Sequence, residues 1–406
     1  MNYPYEGKPG WPHTNRGVHM HPSPYLAAYM RDSQKRAEML ERLKRMHLSW
    51  VVVLNAGDSA LEKADGKPVV EHFMGQGIVP IVRDMTTLLP RSFHGEGVVR
   101  CLVDIYRGYG LRPTVIAWNE PGDTREWVGG KVPKQWRETF LTLWIDAARK
   151  IINAGGNAGF PDPLFDWPWF FENLARLAPD LVEEFRQGRA VFTAHLYGKA
   201  RPPDYPEDDV SRYGTPLIPE GFRAELNDVA DLPPWNQLNL ERINAARKRL
   251  ADPNKTWRDD TTCFGAWRNI YDAAEKAWGF RPVMAMTEGG WVPNDPAGSG
   301  PDSDERYVPS TPKHVARWTL QIMQDSRHEM YALCPWIYDG LHTWWDNGWV
   351  GSHFASVVDG ETGQKYGYEK PVVRYLAENP PSLTTLQPRD LLLQSKQLIE
   401  EAIGSL

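Results

Sequence analysis

The sequence predicts an α/β chain closed into a single (β/α)8 TIM barrel, and two observations carry that expectation. The first is Thr114–Glu120, TVIAWNE, in which Val115, Ile116 and Ala117 have the length and branching of a strand buried on both faces. The run ends on Trp118, Asn119 and Glu120, and Pro121 stops it. A parallel barrel delivers polar side chains to its open face by presenting them at the carboxyl ends of buried strands. The second observation is Arg281–Trp291, RPVMAMTEGGW, built the same way: Val283–Met286 is apolar, and Thr287 and Glu288 end it.

Taken in order, the chain supplies the remaining units. Residues 1–15 are rich in Pro, Gly and aromatics and read as an irregular arm. RGVHMHP, residues 16–22, is a short first strand ending in His19 and His21. Asp32 or Ser33 caps the next helix, where Ala37, Leu40, Leu43 and Met46 recur every three residues against a charged face. WVVVL at Trp50–Leu54 is the second strand, and Ile78–Val82 is the third, ending in Arg83 and Asp84. A helix around residues 97–109 leads into TVIAWNE, which is therefore the fourth strand by count.

Val132-Pro133 opens a helix that buries Trp136, Phe140, Leu143, Ala147 and Ile151 on one face and ends at Gly155-Gly156. Residues 157–160 form a weak fifth strand. PDPLFDWPWFF follows it and crowds Trp167 and Trp169 with three phenylalanines, either as an aromatic platform at the open face or as a satellite hydrophobic cluster. Residues 190–194 are the sixth strand. The Pro- and Asp-rich stretch 198–260 reads as an insertion forming a lid or cleft wall, with a tolerated surface excursion as the alternative.

Residues 263–278 are the next helix, and Glu288 falls on the seventh strand. A Pro/Gly/Ser/Asp-rich loop spans 293–309, and Thr311-Pro312 starts a helix. Tyr331–Ile337 is the eighth strand, and its loop holds Asp339, His342, Trp344 and Trp345. Residues 371–379 close the ring as a helix, so that the barrel runs over 1–385 with long loops after strands 6, 7 and 8, and 386–406 form a C-terminal helical extension.

The strand-end residues resemble those of the clan of retaining (β/α)8 glycoside hydrolases often called clan GH-A. That clan carries its acid/base as the Glu of an Asn-Glu pair ending strand 4 and its nucleophile as a Glu ending strand 7, matching Asn119-Glu120 and Glu288. His195-Leu196-Tyr197 resembles the clan's His-x-Tyr after strand 6, and Trp336 in YALCPWIYDG its strand-8 tryptophan. The resemblance runs from about Ile78 to Trp336. One position departs: many members place an arginine beside the nucleophile at the end of strand 2, whereas Arg83 ends strand 3 here.

The resemblance implies hydrolysis of a glycosidic bond in an oligo- or polysaccharide with retention, Glu288 attacking and Glu120 donating and then taking a proton. Arg83 and Tyr197 would keep Glu288 ionised, Asn119 would bind the sugar 2-hydroxyl, His195 would steady the site and Trp336 would floor the sugar. Trp118, Trp167, Trp169, Asp339, His342 and Trp344 complete the expected substrate-binding set, with no metal and no cofactor.

Composition bounds the rest. The 406 residues are 41% hydrophobic, enough for one large barrel or two ordinary domains. A net charge of −6 with no basic run argues against a nucleic-acid partner. Eighteen tryptophans supply flat apolar faces for sugars as well as core. Cys101, Cys263 and Cys334 have no close spacing and fit a reducing compartment. The residues MNYPYEGKPGW do not read as a leader, and no run approaches the roughly 18 apolar residues of a span, which predicts no membrane partner and a cytoplasmic protein, with a secreted mature form as the alternative.

Two other readings stand beside this one. His19-x-His21 resembles the metal-binding pair of amidohydrolase barrels, with His195 and Asp339 at later strand ends, although WNEP and GFPDP lack that family's bridging lysine and its strand-5 histidine. The other is a barrel that binds carbohydrate without cleaving it.

Overall fold

Eight parallel strands form the inner ring in the computed structural model, which describes residues 14–20, 25–56, 59–84, 88–164, 166–199, 264–291, 312–326, 329–339, 348–350 and 369–381. They are β1 (Gly17–His19), β2 (Trp50–Asn55), β3 (Val79–Asp84), β4 (Thr114–Ala117), β5 (Asn157–Pro161), β6 (Ala190–Lys199), β7 (Met284–Trp291) and β8 (Met330–Leu333). Each pairs with its neighbour in sequence. The ring closes from β8 back to β1 through the Arg16–Leu333 bridge, with the Leu333 N–H donating to Asn15 O at 2.7 Å and the His19 N–H to Pro335 O at 2.9 Å.

Parallel neighbours need a crossover, and helices fill each one. These are α1 (Tyr25–Arg31), α2 (Ser33–Arg45), α3 (Val69–Met74), α4 (Glu96–Arg107), α5 (Trp136–Asn153), α6 (Trp167–Leu177), α7 (Pro179–Arg186), α8 (Ala266–Trp278), α9 (Pro312–Asp325) and α10 (Pro371–Glu378). The chain is thus a (β/α)8 barrel, with the strand numbering the sequence predicts. Asp32 caps α2 by accepting from the N–H groups of Gln34 and Lys35, each at 3.1 Å. Gly155, at φ 98°, ends α5 in the left-handed conformation that a side chain disfavours.

Several elements differ from expectation: β6 runs on to Lys199 instead of stopping at Ala194, and two helices that the sequence did not announce, α6 and α7, lie between β5 and β6. The first crossover holds a helix, α1, that the sequence did not announce. α5 begins at Trp136, because Pro133 occupies the turn before it, its carbonyl accepting from the Trp136 N–H at 3.1 Å. β4 ends at Ala117 instead of Glu120, because Trp118 turns to φ 66°. β8 ends at Leu333, which leaves Trp336 beyond the strand.

Between ring and helices lies an apolar layer rich in aromatic rings. Phe140 on α5 meets Phe160 on β5 and Phe170 on α6, each with centroids 5.7 Å apart, and Trp144 stands edge-on to Phe160 at 4.7 Å. Each such fully buried ring contributes about 1.5–3 kcal/mol. This layer absorbs much of the aromatic content. Among the described residues no helix is long and apolar enough to cross a membrane. Most of the N-terminal arm, nearly all of the 198–260 insertion, the 293–309 loop, the 386–406 extension, and His21, Cys263, His342, Trp344 and Trp345 lie outside the described residues.

Candidate active site

At the carboxyl end of β4 the chain leaves the sheet abruptly. Ala117 is the last residue paired with β3, opposite Asp84, and Trp118 then adopts a left-handed backbone that costs an ordinary residue about 1–2 kcal/mol. The turn sends the Trp118 ring into the apolar layer against Phe93 and Phe140, at 6.5 and 6.3 Å. Asn119 and Glu120 follow it into the barrel mouth.

On the opposite side, β7 carries an irregularity. Thr193 pairs with Ala285 and Ala194 with Met286, but His195 pairs with Glu288, so Thr287 is one residue too many. A bulge of this kind re-aims the side chain that follows it, and here it sets Glu288 beside His195. Gly289 and Gly290, at φ 129° and 92°, make the passage possible, since a Cβ on Gly289 would lie 2.1 Å from the carbonyl oxygen of Leu196.

The side chains so delivered form one buried hydrogen-bond network. Arg83 donates through Nη1 to Glu288 Oε2 at 2.7 Å and to Asn119 Oδ1 at 2.6 Å, and through Nη2 to the Thr287 carbonyl at 3.3 Å. Its Nη2 also lies 3.2 Å from His195 Nε2. A guanidinium has donors only, so that ring nitrogen faces it with a lone pair. In its neutral form the imidazole then carries its proton on Nδ1 and donates it to Glu120 Oε1 at 2.7 Å. The Tyr197 hydroxyl donates to the other oxygen of Glu288, Oε1.

Charge follows from these contacts. Burial alone would raise the Glu288 pKa, but the charge His195 carries when protonated, the Arg83 guanidinium and the Tyr197 hydroxyl outweigh it and hold the carboxyl down at about 2. Burial and the two neighbouring carboxylates push the Tyr197 phenol well above 10, so it stays a donor. Against the burial of its ring, the charges of Glu288 and Glu120 raise the pKa of His195. Arg125, three-quarters exposed and paired with Asp123, reaches to 3.6 Å from Glu120 Oε2.

Six expected residues, Arg83, Asn119, Glu120, His195, Tyr197 and Glu288, thus meet within hydrogen-bonding reach of one another. Arg83 touches Glu288 from β3, so its departure from the resembling clan is one of strand, not of contact. Trp336 stands next to them, its backbone N–H donating to Gly289 O at 2.9 Å and its half-buried ring 4.4 Å from His19. The Trp336–Ile337 peptide is cis. Asp339 is buried and bridges Val350.

Two expectations are corrected, and a third ring, Trp169, is half-buried at the edge of the same cluster. Trp118 presents no face to the mouth, because the left-handed turn buries it in the apolar layer. Trp167 is likewise buried, its indole N–H donating to Asp162 Oδ1 at 3.1 Å. Trp169 leans edge-on against Phe170 at 5.0 Å, with the Arg137 guanidinium 5.9 Å from its ring. The aromatic run after β5 is thus a hydrophobic cluster that starts α6.

Two carboxylates of the site carry no signal that the sequence reading used. Asp162, just past β5, accepts the His195 backbone N–H at 2.7 Å and fixes β6 where the histidine sits. It follows a buried strand exactly as far as the strand-end rule looks, and that rule applied to β5 would have found it. Glu126 accepts from Asn119 Nδ2 at 3.1 Å; it lies in the short 3-10 turn Thr124–Glu126, where no periodicity marks it.

Glu120, His195 and Glu288 offer one ligand atom each within 4.8 Å of one another, a spacing a metal ion accepts. The Arg83 guanidinium already occupies Glu288 Oε2 and faces His195 Nε2, and its charge opposes a dication there. His19 gives its Nδ1 to the Met20 carbonyl at 2.8 Å, and burial beside Arg83 lowers its pKa to about 3, leaving a neutral ring packed on Trp336.

Comparison of the sequence with protein-family models gives no match, and comparison with characterised proteins gives none either. The fold is similar to several solved structures. A family 39 glycoside hydrolase from the gut symbiont Bacteroides cellulosilyticus WH2 is 12% identical, with a TM-score of 0.44 over 91% of this chain and 63% of that one. A β-galactosidase from the psychrophilic Marinomonas ef1 is 11% identical, with a TM-score of 0.40 over 96% and 60%. A β-glucosidase from Thermotoga maritima, in complex with deoxynojirimycin, is 12% identical, with a TM-score of 0.40 over 90% and 97%. The chain spans less than two thirds of the first two structures.

Proposed function

We propose that this protein is a glycoside hydrolase that cleaves a glycosidic bond in an oligo- or polysaccharide by a retaining double displacement. One observation carries the reading: a carboxylate oxygen of Glu120 and one of Glu288 lie within 4.8 Å of each other across the mouth. Retaining enzymes set their two carboxyl groups about 5–5.5 Å apart, whereas inverting ones leave about 6.5–9.5 Å for a water.

In this mechanism Glu288, kept ionised by Arg83 and Tyr197, attacks the anomeric carbon and forms a glycosyl ester. Glu120 donates a proton to the departing oxygen. Its Oε1 is engaged by His195, which leaves Oε2 to carry that proton. Once the leaving group has gone, Glu120 takes a proton from water, and the water displaces the sugar from Glu288. Asn119 binds the 2-hydroxyl, and Trp336 offers an apolar face to the sugar ring.

The experiment is mass spectrometry after incubation with a panel of 2-deoxy-2-fluoro glycosides. The sugar that remains attached names the substrate, and the modified peptide contains Glu288. Labelling of any other residue overturns the assignment.

A further inference from the structure

We infer that Glu126 is a positioning residue, which fixes the amide of Asn119 so that one N–H points at the sugar 2-hydroxyl. This rests on the glycosidase reading and deepens it.

The Asn119 side chain is held at both ends. Its Oδ1 accepts from Arg83 Nη1 at 2.6 Å, and its Nδ2 donates to Glu126 Oε1 at 3.1 Å, all three side chains being buried. An amide is nearly symmetric in shape but not in chemistry. Turned over, Asn119 would set a donor against the donor-only guanidinium and an acceptor against the carboxylate, losing both bonds at once. Glu126 also takes only one of the two Nδ2 hydrogens, and the other is left for a ligand.

The loop does not require the Glu126 side chain. Other groups anchor it: the Leu89 N–H donates to Glu126 O at 2.9 Å, the Val128 N–H to Leu89 O at 2.8 Å, and the Trp127 side-chain indole N–H to Pro121 O at 2.9 Å. A carboxylate placed there is instead electrostatically costly. Burial, then the charges of Glu120 and Asp123, raise the Glu126 pKa, against the bond from Asn119 and the charge of Arg83. A carboxyl group kept under that opposition, and bonded to the amide beside the acid/base, has its use in the site.

The test uses the full-length protein and whichever 4-nitrophenyl β-glycoside it hydrolyses, together with the 2-deoxy counterpart. Glu126→Ala is expected to lower kcat on the parent glycoside about tenfold or more, with less than a threefold change on the 2-deoxy substrate. Glu126→Gln, whose amide oxygen accepts the same hydrogen, is expected to stay within threefold of the unaltered protein on both. Should Glu126→Ala not fold, Glu126→Asp carries the test, since withdrawing the carboxyl by one methylene gives the same selective loss. An equal loss on both substrates, or none on the parent, overturns the inference while leaving the glycosidase reading intact. Failure of the unaltered protein to hydrolyse any glycoside, with no label on Glu288, removes both.

Discussion

Glu288 stands level with His195 because Thr287 is an extra residue in β7, and without that bulge Glu288 would sit one position out of register with His195. The pairing of these two residues joins both halves of the site. His195 reaches Glu120 through Nδ1 and shares Arg83 with Glu288. The bulge also leaves the Thr287 carbonyl where Arg83 Nη2 donates to it.

The division of labour between the carboxylates is read from trapped products. Glu120→Ala is expected to lower kcat on unactivated glycosides by about 10²–10⁴-fold, and azide restores turnover with the azide of retained anomeric configuration as product. Glu288→Ala with azide gives the inverted azide. Nuclear magnetic resonance of the two products checks the assignment, and the same anomer from both variants contradicts it.

Arg83 sets both the charge of the nucleophile and part of the stability. Removing one partner of a buried ion pair typically costs about 3–5 kcal/mol, so Arg83→Met is expected to lower stability by that order in urea unfolding at neutral pH. Because the Glu288 pKa is depressed, its contribution to stability is complete above the unfolded carboxyl range near ~4.3 and is lost as pH falls toward 2. In Arg83→Met the carboxyl titrates higher. The acid limb of kcat/KM then moves up by a unit or more, and an unmoved limb counts against the role.

Tyr197→Phe keeps the ring and deletes the hydroxyl that donates to Glu288 Oε1. A hydrogen bond to a charged group contributes about 1.5–3 kcal/mol. The expected result is a loss in kcat of about tenfold or more with the barrel intact by circular dichroism.

Gly289→Ala places a methyl group 2.1 Å from the Leu196 carbonyl at a φ of 129°. Backbone conformation alone costs about 1–3 kcal/mol there, and relief of the collision must part β6 from β7 and displace Glu288. Thermal unfolding is expected to show the loss of stability and a labelling assay the loss of sugar attachment. Full activity would mean that the two strands separate freely.

Dialysis against EDTA is expected to leave hydrolysis unchanged, because Arg83 holds Glu288 Oε2 and faces His195 Nε2. Activity that disappears and returns with a divalent ion would transfer the Glu120, His195 and Glu288 cluster to metal chemistry.

Much of this arrangement is legible one strand at a time. An apolar run buried on both faces announces itself by composition, and the polar residue ending it must face the barrel mouth, which is how Glu120, Glu288 and Arg83 are found, whereas His195 stands out by its resemblance to the clan's His-x-Tyr. Trp118 and Trp167 obey the same local rule and yet lie in the core, since a single backbone angle or one indole hydrogen bond decides which way a ring turns.

The sequence by itself determined the eight strands, their order and most of the helices between them, because those depend on periodicity and burial within a few neighbours. Only the tertiary structure decided the Thr287 bulge, the tautomer of His195 and the service of Glu126 and Asp162. These depend on registers and hydrogen bonds between segments far apart in the chain, and such distances come into being only when the ring closes.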